Sequence, residues 1–226
     1  MKKNKSYIAI SFVILVFGIL VIPKIVERIK NNDIVQGDRL NVVTDNKSAK
    51  ALYVIGPAPK FELTDQNNKT VNNETYKGKV YVLEFFFATC PTICPKMNAS
   101  LRTVEDLYYG NKNFGIASIT INPENDTPEV LKNHAKALGV KSENWHFLTG
   151  KKEYIYDLAN KGFNIYAGRN DKIGGGFEHS GYFALIDKKG NIRCRLKDGN
   201  PIMYYDGIEK VGVSDLKEDI KILLEE

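Results

Sequence analysis

The amino-acid sequence predicts an α/β sandwich in which a central mixed β-sheet carries helices on both faces. Residues 79–88, "KVYVLEFFFA", and the later run "FGIASITI" are almost continuously apolar, as strands covered on both faces are. Helical patterns follow each run, and a hairpin pattern comes near the end of the chain. Alternating strands and helices predict parallel pairing, and the late hairpin adds an antiparallel portion.

The first predicted elements of the domain are short. The domain is expected to begin at Ile55 with an extended segment. Residues 61–63 then form a short strand, and polar residues 65–68 turn the chain into a second one. After the run at 79–88, apolar residues recur at helical spacing: Met97, Leu101, Val104 and Tyr108.

The second half of the chain predicts three more helices. In "TPEVLKNHAKALG", Thr127 can cap a helix whose first position suits Pro128 and which ends at Gly139. "WHFLTG" predicts a strand, and "KKEYIYDLANKGF" predicts the next helix. In "GYFALIDKKGNIRCRL", residues 187–191 form the turn of the hairpin, and "SDLKEDIKILLEE" predicts a final helix capped by Ser214. A thioredoxin-like fold has this order of elements.

The N-terminus predicts one transmembrane helix in front of this domain. Residues 7–23 are apolar or small throughout, which is close to the minimum length for crossing a bilayer. Lysines precede them, and no small-residue cleavage site follows. We therefore expect an uncleaved membrane anchor at 1–26, a polar stalk at 27–54 and the folded domain at 55–226, with a cleaved leader as the alternative. The predicted location is a bacterial cell membrane, single-pass, with the domain on the extracytoplasmic (periplasmic) side.

The charge of the chain argues against nucleic-acid binding. The net charge is +5, but Lys2, Lys3, Lys5 and Lys24 lie in the leader and leave 28 basic against 27 acidic residues. No basic stripe interleaved with aromatic residues is present in the sequence.

The segment "FFFATCPTICPKM" contains the residues best suited to chemistry. Cys90 follows the first buried strand, and Pro95 suits the first helical position, which places Cys94 at or near the helix N-cap. A helix N-terminus favours a thiolate over a thiol. Both metal binding and disulfide exchange need a thiolate, and this spacing permits either, as well as a plain structural disulfide.

A histidine lies where a thiol–disulfide exchanger usually places a proline. No proline occurs between Pro128 and Pro201, and "GGGFEHSG" stands ahead of the predicted strand "YFALID". The glycines predict a flexible loop that presents His179. Two thiolates and one imidazole are soft enough for Cu(I) and can also hold Cu(II).

Four blocks of the sequence resemble the Sco family, also called SenC or PrrC. The first block is the cysteine box "TCPTICPKM" at the end of a strand. The others are "INPENDTPEVLKNHAKALG", "NWHFLTG" and "EHSGYFALIDKKGNI", in the family's order and spacing. The resemblance covers residues 55–224, and the cysteine box together with the His-Ser block is its most specific part.

The resemblance implies a thioredoxin-like domain that binds one copper ion, Cu(I) or Cu(II), through Cys90, Cys94 and His179. It further implies a membrane-anchored copper metallochaperone that assists assembly of the CuA site of cytochrome c oxidase, or a protein that reduces the cysteines of that site. The implied partner is subunit II of that oxidase, which carries the CuA domain. A thioredoxin-like reductant is expected as well, because the cysteine pair must be reduced before it binds copper. The family often has Asp where this chain has Asn122, which casts doubt on any role of an acid there, whereas Asp126 and Pro128 match.

Two enzymatic readings remain open beside copper binding. In a thiol–disulfide oxidoreductase, Cys90 would attack and Cys94 would resolve. A peroxidase on the same fold is a weaker hypothesis. Such enzymes usually place a threonine and an arginine around one reactive cysteine. Thr89 or Thr92 could be that threonine, but no arginine stands near enough in the sequence.

The remaining candidates are predicted to be structural. Cys194 should be a buried core thiol on one strand face with Ile192 and Leu196. We expect that His134 and His146 are not metal ligands. Met97 recurs at helical spacing with other apolar residues and is expected in the core. Of Tyr182 and Phe183, one is expected to pack on the sheet and the other to shield the metal.

Overall fold

The structure is a computed structural model that describes residues 11, 15–18, 20, 22–23, 51–170, 172 and 175–226. The chain divides into two units, Met1–Ser48 and Ala49–Glu226. The described residues of the first unit are helical. Within the described residues, no helix is both long and apolar enough to cross a bilayer. Most of the predicted anchor at 1–26, and all but the last residues of the predicted stalk at 27–54, lie outside the described residues.

The second unit is built on a mixed sheet. The strands among the described residues are β1 (Tyr53–Pro57), β2 (Glu62–Asp65), β3 (Thr70–Asn72), β4 (Val80–Phe86), β5 (Phe114–Thr120), β6 (Trp145–Thr149), β7 (Ala167–Arg169), β8 (Phe177–His179), β9 (Tyr182–Ile186), β10 (Asn191–Cys194), β11 (Leu196–Lys197), β12 (Asn200–Pro201) and β13 (Tyr205–Asp206). The main sheet has the order β1-β10-β9-β4-β5-β6-β2-β3, with β13 added beside β9. The pairs β7–β8 and β11–β12 form separate two-stranded sheets.

The centre of the sheet confirms the predicted mixture of directions. Strand β4 pairs in parallel with β5, and β5 with β6, whereas β9 runs antiparallel to β4. Every residue of β4 and β5 is buried, which explains why the sequence shows two continuous apolar runs there.

Helices lie on both faces of the sheet. They are α1 (Cys94–Tyr108), α2 (Pro128–Ala137), α3 (Lys152–Asp157) and α4 (Lys210–Glu225), with a 3-10 helix at Asn73–Tyr76 and a π-helix at Leu158–Phe163 that continues α3. The ring of His134 in α2 lies 5.5 Å from that of Phe86, and the ring of Phe163 lies 6.0 Å from that of Phe85. Since neighbouring strand residues point to opposite faces, α2 and the π-helix cover opposite sides of β4.

Two helices begin earlier than the sequence predicted. Helix α4 starts at Lys210, so the prediction that Ser214 caps it was wrong. The carboxylate of Asp206 accepts the N–H groups of Ile208 and Glu209 and turns the chain into the helix sooner. Helix α1 starts at Cys94 itself after the N-cap Ile93, one residue earlier than expected.

The entry and the hairpin also differ in detail from the sequence prediction. Strand β1 begins at Tyr53, two residues ahead of the expected start of the domain. Cys194 and Ile192 are buried as expected, but Leu196 is 52% exposed. The reason is that β10 ends at Cys194 and Leu196 belongs to the separate β11–β12 hairpin.

Candidate metal centre

The first cysteine is carried by a tight turn at the carboxyl end of β4. The N–H of Cys90 donates to the Phe87 carbonyl over 3.2 Å. One turn later Cys94 opens α1, with Pro95 next to it where no intrahelical donor is needed. Only 8% of Cys90 and 2% of Cys94 are exposed, and both are free thiols.

A buried carboxylate holds this turn against the neighbouring strand. Asp126, which has no exposed surface, accepts hydrogen bonds from the Ala88 N–H at 2.9 Å and from the Thr120 hydroxyl at 2.5 Å. The side-chain amide of Asn125 donates to it as well, over 2.8 Å. Asp126 therefore joins the segment that leads to Cys90 to the end of β5. The sequence matched this residue to a family motif but gave no sign of its structural task.

The histidine arrives on a separate hairpin. His179 ends β8 and is 6% exposed. Its Nδ1 lies 3.2 Å from the carbonyl oxygen of Ser180. Because a carbonyl oxygen only accepts, Nδ1 carries a hydrogen in this contact, and Nε2 is the ring nitrogen that faces the cysteines. Nε2 lies 3.0 Å from the Cys94 sulfur.

The structure brings the three predicted residues into one cluster. Both sulfurs and a ring nitrogen of Cys90, Cys94 and His179 lie within 4.8 Å of one another. Within the described residues this is the only such group of three histidine, cysteine or acidic side chains. Two sulfurs and one imidazole nitrogen form a donor set for a soft ion, and the hydrogen bond at Nδ1 orients the ring as in known metal sites.

The two thiols differ in their acidity. The hydrogen bond from Cys94 holds the pKa of Cys90 well below its usual range, although burial opposes this, and His179 and Thr92 add to the effect. The same hydrogen bond to Cys90, followed by burial, raises the pKa of Cys94. Cys90 is therefore the more acidic thiol of the pair.

A buried acid on β4 also acts on the pair. The charge of Glu84 contributes to the raised pKa of Cys94. Burial raises the pKa of Glu84 itself to about 8, while a hydrogen bond from Ser118 works in the other direction. Ser118 donates to Oε1 over 2.7 Å, whereas Oε2 is buried without a hydrogen-bond partner. The sequence did not single out this residue, because one acid within an apolar run carries no motif.

Aromatic rings enclose the cluster on one side. The ring of Phe87 stands edge-on to that of His179 at 6.0 Å and contacts Phe177 at 5.4 Å. Phe183 is fully buried in the sheet, as predicted for one of the Tyr182–Phe183 pair, whereas Tyr182 is 45% exposed. The ring beside the histidine is thus Phe87, which the sequence had assigned to the strand alone.

Gly175 lies close to the ring of Phe87. Gly175 has φ +93°, and a Cβ there would stand 2.8 Å from the Phe87 ring and 3.1 Å from Pro91. A side chain at this position would therefore be strained by its backbone and would clash with the aromatic wall. Gly174 lies outside the described residues.

The other candidate residues lie apart from the cluster and make structural contacts. His134 Nε2 is 3.4 Å from the Asn98 amide, and His146 Nδ1 is 3.3 Å from Asp65. Met97 is fully buried in the core, as predicted. Asn122 is also buried; its N–H donates to Thr120.

Comparison with known families gives the cluster its context. The family model described as SCO1/SenC matches residues 55–210. The chain belongs to the SCO1/SenC family. The matched region includes both cysteines and the histidine.

Relatives of this SCO1/SenC chain are found among both sequences and solved structures. It is 32% identical over 167 residues to the SCO1 protein homolog of Bacillus subtilis. The aligned residues make up 71% of this chain and 79% of that protein. The structure of BsSco, described as a Sco family cytochrome c oxidase assembly protein with a disulfide switch, matches with a TM-score of 0.63. Its identity is 28%, over 75% of this chain and 95% of that one. Bradyrhizobium japonicum ScoI, solved with copper bound, matches with a TM-score of 0.51 and 25% identity, over 72% and 98%.

Proposed function

We propose that this protein is a membrane-anchored copper metallochaperone that binds one copper ion through Cys90, Cys94 and His179 and assists assembly of the CuA site of cytochrome c oxidase. The observation that carries the proposal is the buried cluster of two sulfurs and one ring nitrogen within 4.8 Å. Copper is the cargo of this protein and not a catalyst, so the chemistry is an exchange of ligands.

Each residue of the cluster has a defined part in taking up the ion. Cys90 already provides a thiolate, because its pKa is low. Cys94 must give up its proton when the ion binds, as thiol ligands do. His179 would bind the ion through Nε2, while its Nδ1 contact with the Ser180 carbonyl orients the ring.

The relatives support copper as the cargo and a part in the assembly of cytochrome c oxidase. ScoI of Bradyrhizobium japonicum has been solved with copper bound, and BsSco is described as belonging to the cytochrome c oxidase assembly proteins. We propose subunit II of that oxidase as the acceptor and a thioredoxin-like protein as the reductant of the cysteines. The anchor at 1–26 would hold the domain at the extracytoplasmic face of a bacterial cell membrane.

A copper titration of the full chain, purified in detergent and reduced, tests the proposal. We expect one equivalent of Cu(II) to bind with sulfur-to-copper charge-transfer bands and one EPR signal. Both should disappear in Cys90→Ser and His179→Ala. His146→Ala is the matched control, since it removes a partly buried histidine outside the cluster and should leave both signals unchanged. Tight copper binding with unaltered spectra in His179→Ala would show that the ligand set is wrong.

Thiol–disulfide exchange is the second candidate function. The low pKa of Cys90, caused mainly by its hydrogen bond with Cys94, favours attack by Cys90 on a disulfide and resolution by Cys94. An exchanger does not need His179. If His179→Ala keeps full reduction of a disulfide substrate and wild-type protein binds no copper, the exchange function replaces the copper function.

A further inference from the structure

The ribbon that carries His179 is not part of the main sheet. β7 and β8 pair only with each other, so the histidine stands on a two-stranded ribbon. Such a ribbon is at best marginally stable in water unless other elements support it. Both cysteines, in contrast, are attached to β4 and α1 in the core. Since β8 continues after two residues into β9 of the main sheet, β7 is the strand of the ribbon that needs a further support.

The side chain of Asn160 supplies this support. Its Nδ2 donates to the Ala167 carbonyl at 2.8 Å, and its Oδ1 accepts the Ala167 N–H at 3.1 Å. Nδ2 also donates to the carbonyl of Tyr156 at 3.0 Å, which fixes the amide to its own helix. Ala167 is the residue that stands directly opposite His179 in the ribbon.

The amide of Asn160 therefore takes the place of a neighbouring strand. In an antiparallel pair, opposed residues either exchange two hydrogen bonds or direct their N–H and C=O groups outward. Both groups of Ala167 are bound by Asn160, on the side of β7 away from β8. The next hydrogen bond along the ribbon runs from the Ser180 N–H to the Tyr166 carbonyl at 3.0 Å. It connects the two sides of the ribbon to each other.

The π-helix determines where this amide lies. Asn160 lies within Leu158–Phe163, and the element ends at Asn164 in the left-handed conformation with φ 52°. The chain then turns back toward the π-helix, because the Ile165 N–H donates to the Ala159 carbonyl at 2.9 Å. Ala167 follows as the first residue of β7. π-helical turns are rare and often occur at functional sites.

We infer that Asn160 is a positioning residue for the metal centre, whose amide clamps Ala167 and thereby holds His179 beside Cys94. The inference rests on the proposed copper function. It assigns Asn160 no contact with the ion.

A matched pair of variants isolates this role. Asn160→Ala removes the clamp. Asn73→Ala removes a closely similar one, since the Asn73 amide accepts the Phe61 N–H at 2.7 Å and donates to the Pro59 carbonyl at 3.1 Å. Asn73 stands beside β3, at the end of the sheet order and four strands away from β4. The two variants lose the same kind of hydrogen bonds and differ in whether His179 depends on them.

Copper binding by the full chain gives the first readout. Relative to wild type, we expect Asn160→Ala to raise the dissociation constant for Cu(II) by about tenfold or more, as loss of a group that orients a ligand does. We also expect its EPR spectrum to broaden or split. Asn73→Ala should keep the wild-type affinity and spectrum. An equal effect of the two variants, or no effect of either, overturns the inference.

Amide hydrogen exchange of the metal-free protein gives the second readout. Asn160→Ala should speed exchange at Ala167 and Ser180 much more than at β4, whereas Asn73→Ala should not change exchange in the ribbon. Unchanged exchange at Ser180 in Asn160→Ala contradicts the inference. If Asn160→Ala does not fold, Asn160→Asp, which keeps the acceptor and loses both donated bonds, is judged by the same criteria.

The two readouts separate the inference from the function. If wild type binds no copper, the copper function fails, and the exchange data alone still decide whether Asn160 holds the ribbon. If wild type binds copper and the ribbon in Asn160→Ala is unchanged, only the inference fails.

Discussion

Cys90 and Cys94 are the same residue type, four positions apart, yet they hold their protons very differently. Burial alone would raise the pKa of both. The hydrogen bond between them stabilises the negative charge on Cys90 and keeps the proton on Cys94. Cys90 is therefore the sulfur that reacts first with a cation or a disulfide.

Alkylation of the reduced, metal-free chain with iodoacetamide should reveal this difference. For an ordinary thiol, the rate rises about tenfold per pH unit below its pKa, because only the thiolate reacts. The pKa of Cys90 is lowered, so its thiolate persists as the pH falls, and its rate should be nearly constant from pH 5 to 8. Cys94 and the buried Cys194 should react slowly throughout. Peptide mass spectrometry measures each site, and a steep pH dependence at Cys90 would contradict the assignment.

The sequence identified all three members of the cluster by residue type and spacing. It missed Asp126 as the support of the cysteine turn, and it missed Phe87 as the ring beside the histidine. Both act through contacts with residues that are distant in the sequence: Asp126 bonds the backbone of Ala88, 38 residues away, and Phe87 contacts His179. No local pattern encodes such contacts.

Strand β4 combines an almost ideal apolar pattern with one buried acid. Glu84 keeps one hydrogen bond, to Ser118, and leaves Oε2 without a partner in the core. The hydroxyl of Ser118 in turn accepts the indole N–H of Trp145 at 3.0 Å, so the group joins β4, β5 and β6. Burial raises the pKa of Glu84 to about 8, so this acid holds its proton up to that pH.

The stability of the domain should depend on pH through Glu84. In the unfolded chain a glutamate has a pKa of about 4.3, so between there and pH 8 the folded state binds the extra proton. Stability from this group is therefore present at low pH and is lost as the pH rises. Between pH 5.5 and 7.5, we expect wild type to lose about 2 kcal/mol relative to Glu84→Gln.

Urea unfolding followed by Trp145, the single tryptophan, measures this difference. Trp145 has no exposed surface and should report the loss of the core. The exposed substitution Glu74→Gln is the control and should show no such trend. If Glu84→Gln follows the same pH dependence as wild type, Glu84 is not the group responsible.

Among the helices, the sequence succeeded where capping residues were local. The hydroxyl of Thr127 accepts the Val130 N–H and Pro128 opens α2, as the pattern predicted. It failed at α4, because the start of that helix is set by Asp206 from the preceding strand. Gly212 permits the close approach, since a Cβ there would lie 2.3 Å from the Asp206 carbonyl oxygen. A glycine inside a helix weakened the periodic signal that would have extended it.

The first strand and the last helix are joined by one buried arginine. Arg193 on β10 donates to the Leu52 carbonyl and to the Asp187 carboxylate, each at 3.0 Å. It also pairs with Glu226 after α4 at 3.0 Å. Since the Leu52 contact spans 141 positions of sequence, this side chain connects parts of the domain that meet only when folding is complete.

Replacing Arg193 should weaken the domain as one unit. We expect Arg193→Met to lower the free energy of unfolding by about 3 kcal/mol, because Asp187 would stay buried without its cation. The control is Lys77→Met, which breaks an ion pair whose side chains are 76% and 74% exposed and should have no measurable effect. Urea unfolding followed by Trp145 fluorescence gives both values. Equal, small effects of the two variants would show that Arg193 does not hold the two ends of the domain together.

From the amino-acid sequence alone one can predict the α/β class, the mixed sheet, most of the helices and the three side chains of the cluster. These features depend on local periodicity, on turn and capping residues, and on the spacing of two cysteines around a strand-to-helix junction. The folded structure was needed to find that His179 stands on a ribbon apart from the main sheet and that Asn160 supports this ribbon. The contacts of the two thiols in the folded chain also make Cys90 the more acidic of the pair. Each of these depends on distances between residues far apart in the chain, and the energy of a hydrogen bond or a buried charge is set by such distances.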